Sequence, residues 1–106
     1  MSLHYFLLTY SVKANESRDQ DTADNVRKDI AKIENDWDKE EDVETTFTGI
    51  LKLTATSSSE RIKQAEKLIE QKFIPILEEH NATKVTISCA LMVEELGKAT
   101  SFDVYL

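Results

Sequence analysis

Glycine, proline and cysteine are nearly missing from this chain, which has two, one and one of them. With only Gly49 and Gly97, no glycine-rich loop can turn a row of backbone N–H groups toward a phosphate, so nucleotide-binding fingerprints are excluded. The lone Cys89 cannot form an internal disulfide. It stands in the alternating run Val85, Ile87, Cys89, Leu91, Val93, where a thiol behaves as a small buried hydrophobe. A disulfide-free composition suits a reducing compartment, and a cytoplasmic setting is expected. Histidine is scarce as well: His4 and His80 lie most of the chain apart, neither with a partner at metal-ligand spacing, and no G-x-S-x-G turn offers a nucleophile. Neither metal nor other cofactor is expected. Bases are outnumbered, thirteen Lys and Arg against twenty Asp and Glu for a net charge of −7, which disfavours attachment to nucleic acid or to an anionic membrane. The apolar opening Tyr5-Phe6-Leu7-Leu8-Thr9-Tyr10 lacks a basic lead and falls far short of the ~20 residues that span a bilayer. It reads as a strand.

What is present is ordinary globular material. The 106 residues, 41% hydrophobic, make a single domain over 1–106. From Leu3 to Val12 both alternating faces carry apolar groups, Phe6, Leu8, Tyr10 and Val12 on one and Leu3, Tyr5 and Leu7 on the other; this predicts a central strand covered on both sides. From Asp21 the apolar positions Ala23, Val26, Ile30, Ile33 and Trp37 recur at spacings of 3, 4, 3 and 4, one stripe of a helix. Residues Val43 to Thr56 alternate instead, and an unbroken strand of that length would reach about 46 Å at ~3.3 Å per residue. Gly49 is the point at which the run bends, as a bulge or as the left-handed residue of a hairpin loop Phe47-Thr48-Gly49 pairing Val43 with Leu53 and Thr45 with Leu51. The pattern leaves both open. Ser57 and Glu60 form a capping box ahead of the stripe Ile62, Ala65, Leu68, Ile69, Phe73, Ile76, Leu77. Pro75 predicts a kink or break near Phe73–Ile74, and Asn81 a left-handed end. Lys84 to Glu94 is another alternating strand, and Phe102, Val104 and Leu106 mark a short last one.

The expected fold class is α+β: a ferredoxin-like two-layer sandwich, two helices on one face of a four- or five-stranded sheet, with an extra C-terminal strand. The sheet face turned from the helices is rich in hydroxyls (Thr46, Thr48, Thr54, Thr56, Thr86, Ser88) and either meets water or meets a second copy or a ligand; it also carries Ile50, Ala90 and Met92, the candidates for the middle of a dimer surface. A second candidate docking surface is the acidic run Glu34, Asp36, Asp38, Glu40, Glu41, Asp42 and Glu44, interrupted by the single base Lys39. It lacks the glycine that a calcium loop needs; it reads as a solvated helix end, with docking to a basic protein partner as its functional alternative.

The aromatic first strand His4-Tyr5-Phe6-Leu7-Leu8-Thr9-Tyr10-Ser11-Val12, the hairpin candidate Thr45 to Leu53 leading straight into a helix, and the short terminal strand resemble the small CRISPR-associated integration nucleases and the similar GhoS-type antitoxin endoribonucleases. The resemblance implies a ferredoxin-like fold and, at the end of strand one, RNA cleavage with Tyr10 and Ser11 as catalytic residues. Metal-dependent members are expected to carry an aspartate just after the strand-one aromatic. Ser11 stands there, and a hydroxyl is a poor ligand for a hard divalent cation, which counts against that activity. The first expectation is thus a small acidic homodimeric interaction or regulatory domain without catalysis, its partner-binding residues Glu34, Asp36, Asp38, Glu40, Glu41, Asp42, Thr46, Ile50, Ala90 and Met92. The alternatives are the endoribonuclease and an acidic inhibitor of a nucleic-acid-binding protein.

Overall fold

The computed structural model describes residues 2–33, 37–39 and 45–106. The chain is an α+β fold with one five-stranded, fully antiparallel sheet. In chain order the elements are β1 (Ser2–Ala14), a 3-10 turn (Ser17–Asp19), α1 (Gln20–Ile30), β2 (Trp37–Lys39), β3 (Thr46–Leu53), α2 (Ser58–Glu79), β4 (Val85–Val93) and β5 (Thr100–Val104). Across the sheet the order is β2-β3-β1-β4-β5. Each helix therefore joins two strands that run the same way with one antiparallel strand between them, α1 linking β1 to β2 and α2 linking β3 to β4. β5 turns back on β4, pairing Ile87 with Val104 and Leu91 with Thr100. Among the described residues no helix is long and apolar enough to cross a membrane.

Strand parity decides which side chains meet the helices. On β1 the even residues Phe6, Leu8, Tyr10 and Val12 are buried, as are Leu51 and Leu53 on β3 and Val85, Ile87, Cys89, Leu91 and Val93 on β4. Against them pack Ala23, Val26 and Ile30 of α1 and Ala65, Ile69, Phe73 and Leu77 of α2. The centre is aromatic. The Trp37 ring lies 5.4 Å from Phe6, 5.5 Å from Phe47 and 6.0 Å from Phe73, all edge-on, the geometry that ring quadrupoles favour. Tyr10 stacks on Phe47 at 5.7 Å. Truncating a ring so enclosed costs roughly 3–5 kcal/mol.

Four expectations are corrected by this arrangement. Trp37 is not the last residue of the α1 stripe: α1 stops at Ile30 and Trp37 pairs with Gly49 on β2. Asn35 and Asp36 are poor helix formers, and the indole gains more buried area among three aromatic rings than on a helix end. The hairpin at Phe47-Thr48-Gly49 is absent. β3 runs through Gly49, with Leu51 opposite His4 and Leu53 opposite Ser2, and Val43 lies outside the described residues. Nor is Gly49 left-handed, since the only glycine with positive φ is Gly97, at 92°. Its role is close approach, because a Cβ there would sit 2.8 Å from Phe6 Cε1 and 3.3 Å from Trp37 Cδ1. Third, the helix does not break at Pro75: α2 is continuous through it. Pro75 and Gln71, whose carbonyl loses its donor, are both exposed, so water replaces the missing bond. Last, β1 is central but covered on one side only: Leu3, Tyr5 and Leu7 are 57%, 63% and 44% exposed.

The helix ends follow their sequence signals. Ser57 Oγ accepts from the Glu60 backbone N–H at 3.2 Å, a cap of about 1 kcal/mol. Asn81 takes φ 49° while Ala82 N donates to Leu77 O at 2.9 Å and Asn81 N to Glu78 O at 3.1 Å, a Schellman ending.

Gly49→Ala isolates the close-approach argument. Alanine gains about 0.4–1 kcal/mol through the unfolded chain, but forcing a methyl against Phe6 costs about 1–3 kcal/mol. The substitution is expected to lower the melting temperature by several degrees, followed by far-UV circular dichroism; an unchanged or raised midpoint contradicts it.

Candidate interaction surface

Because both helices lie on one side, the odd residues of β1 and their cross-strand neighbours face away from the core. The register places Leu3 beside Lys52, Tyr5 beside Ile50, and Leu7 between Thr48 and Met92. Asp38 of β2 extends that last row beyond Thr48. Ile50 is 50% and Met92 51% exposed. Five large apolar side chains thus form one patch at the end of the sheet where β1 begins. Side chains opposite or diagonal on one sheet face are within reach of each other, so the patch is continuous.

The same face changes character along β1. Next to the apolar end comes the row Thr46, Thr9, Ala90, Ser101, then Ser11, Ser88, Asp103. There the strands shape a shallow cavity of about 450 Å³ whose polar lining includes Thr9, Ser11, Thr45, Ser88, Ser101 and Asp103. Two neighbouring residues of a strand point to opposite faces, and this separates the pair singled out for RNA cleavage. Ser11 is exposed on the open face, whereas the Tyr10 ring is buried among Phe47 and Phe73. Neither histidine reaches the cavity. His4 is buried at the far end of β1, where Nδ1–H donates to Glu94 O at 3.0 Å and Nε2 lies 2.8 Å from Ser2 Oγ. His80 belongs to the helix layer.

The remaining expected partner residues divide. Glu34, Asp36, Glu40, Glu41 and Asp42, with Glu44, lie outside the described residues, and Asp38 is exposed. Ile50, Ala90 and Met92 share the open face, Ala90 half-buried between Thr9 and Ser101. Thr46 has the right parity but is only 7% exposed; a short side chain in a row of neighbours retains too little area to touch a partner. Thr54 and Thr56 lie past the end of β3. Leu3, Tyr5 and Leu7, the larger part of the apolar patch, were expected inside, because a two-sided apolar strand reads alike whether its second face meets a layer or a partner.

One polar contact in the helix layer has no local sequence signal. Across 51 positions, His80 Nε2 donates to Asp29 Oδ2 at 2.6 Å, and Lys32 Nζ lies 3.2 Å from Asp29 Oδ1. These bonds, His80 first, hold the Asp29 carboxyl below its ordinary range. They tie the C-terminal ends of the two helices together.

No family model, curated protein or solved structure matches the chain, so the surface is read from its own geometry.

Cys89 lies beneath the hydroxyl cavity, and burial, with a smaller effect from the Asp103 carboxylate, pushes its thiol up to about 12. The thiolate is the reactive form. A disulfide reagent at pH ~8 is therefore expected to leave the native protein unlabelled and to titrate one thiol per chain in denaturant; rapid labelling without denaturant contradicts this.

Proposed function

We propose that this chain is a small association module whose working surface is the apolar end of its open sheet face and whose partner is a second copy of itself. The observation that carries the reading is the joint exposure of Leu3, Tyr5, Leu7, Ile50 and Met92 on one face. Together they expose roughly 500 Å² of mostly apolar surface, at the upper end of what monomers leave in one patch. A standard interface takes about 800 Å² from each partner, so the contact extends beyond the patch onto flanking residues such as Thr48 and Lys52.

Charge selects among occupants. At −7 the chain repels phosphate backbones and anionic headgroups alike, which favours protein over nucleic acid or membrane. On the face itself the signs are mixed, Lys52 next to Leu3 and Asp38 next to Thr48. A face that carries both signs supplies its own complement in a two-fold pairing, whereas docking to a basic partner calls for a one-signed face. The ferredoxin-like assignment belongs to the same proposal, supported by the two interleaved helical crossovers with β5 as the added strand. So does a cytoplasmic setting, supported by the single unpaired cysteine.

Salt separates this reading from electrostatic docking. Two copies of −7 repel, so screening strengthens an association driven by apolar burial and weakens one driven by opposite charges. Sedimentation velocity is expected to show a dimer at tens of micromolar that tightens as salt rises to about 0.5 M. Tyr5→Glu with Leu7→Glu places charge in the contact. That variant is expected to sediment as a monomer with an unchanged far-UV spectrum, since neither residue touches the core. A wild-type chain that stays monomeric at hundreds of micromolar in high salt overturns the proposal.

A further inference from the structure

The ends of the two helices bring together a set of metal donors that the sequence scatters. Asp29 stands in the last turn of α1, Glu79 is the final residue of α2, and His80 caps it. One ligand atom from each, two carboxylate oxygens and an imidazole nitrogen, lie within 4.8 Å of one another. Asp29 and His80 are half-buried, their side chains 25% and 24% exposed, while Glu79 opens to solvent. We propose that Asp29, Glu79 and His80 form a binding site for a divalent transition-metal ion of the zinc type.

The chemistry of the donor set chooses the ion. One imidazole and two carboxylates suit zinc, which takes three protein ligands and leaves a fourth position to water; calcium and magnesium call for oxygen alone. Two carboxylates balance the charge of a divalent cation. Both helices direct their C-terminal, negative ends toward the cluster, and this also favours a cation. Little movement is required. Tetrahedral ligation at ~2.0–2.1 Å separates ligand atoms by a little over 3 Å, against the 2.6 Å now between Asp29 and His80. On binding, the Nε2–H···Oδ2 bond is replaced by bonds from both atoms to the metal. The Nε2 proton leaves to solvent, and His80 ligates as the neutral Nδ1–H tautomer. The backbone of His80 is already fixed by its N–H bond to Ile76 O and by the Schellman ending after it. Lys32 is the competitor: its ammonium neutralises Asp29 from 3.2 Å but is 77% exposed and free to swing outward. Because the donors sit 51 positions apart on separate helices, the ion would bind the folded chain and not the unfolded one, clamping the helix layer.

Calorimetry with zinc chloride on the metal-stripped protein, together with the visible absorption of the cobalt(II)-loaded protein, tests the proposal. One zinc per chain is expected, with a melting temperature several degrees higher when zinc is present. Glu79→Gln alters an exposed position, leaves the Asp29–His80 bond in place, and is expected to weaken zinc at least tenfold with an unchanged fold. His80→Gln is expected to abolish binding and the cobalt bands, and Lys32→Gln to tighten zinc several-fold by removing the rival cation. No binding of zinc or cobalt at hundred-micromolar concentration overturns the site. So does binding that survives Glu79→Gln and Asp29→Asn undiminished, which would report a lone surface histidine.

Discussion

Everything in this fold turns on how one indole is enclosed. Trp37 is gripped by rings from three elements, Phe6 of β1, Phe47 of β3 and Phe73 of α2, and the contact is possible only because Gly49, directly across from it on β3, has no side chain. The cluster fixes β2 at the sheet edge, presses α2 onto the middle of the sheet and sets the parity of β1. Once Phe6 and Tyr10 face the helices, alternation sends Leu3, Tyr5 and Leu7 the other way.

That forced choice links packing to function. A strand with apolar groups on both faces satisfies one face with the core and leaves the other to water or to company. Two helices are enough to cover one side of five strands, and both lie on that side. The cost of holding five large apolar side chains in water, on the order of 25 cal/mol per Å², is the driving force available for association. The net charge of −7 opposes it only weakly across a screened interface. The hydroxyl-lined end of the same face, with its single carboxylate Asp103, offers no comparable drive.

Local signals were legible and distant ones were not. The Ser57 helix cap, the left-handed Asn81 and the period-two runs of β1 and β4 each express a rule that acts within a few residues, and each stands where the sequence places it. Trp37 misled because its spacing from Ile33 fits a helix, while the force that removes it from the helix comes from Phe47 and Phe73, ten and thirty-six residues on. Gly49 serves close approach, but a glycine in a strand marks a bend, a turn or a close approach alike, and the sequence carries no mark of which. The open face was foreseen through Ile50, Ala90 and Met92, but its larger half was not, since periodicity reports that a face is apolar and not what it meets. The Asp29–His80 bond could not be read at all. Only the convergence of two helix ends makes neighbours of residues 51 positions apart.

Hydroxyl-radical footprinting across a concentration series reads the core cluster and the open face in one experiment. Trp37 and Phe73 are expected to stay unlabelled at every concentration, while Tyr5 and Met92 label strongly in dilute solution and become protected as the chain is concentrated. Labelling of Trp37 in the dilute native protein, or of Tyr5 and Met92 at a rate independent of concentration, would contradict it.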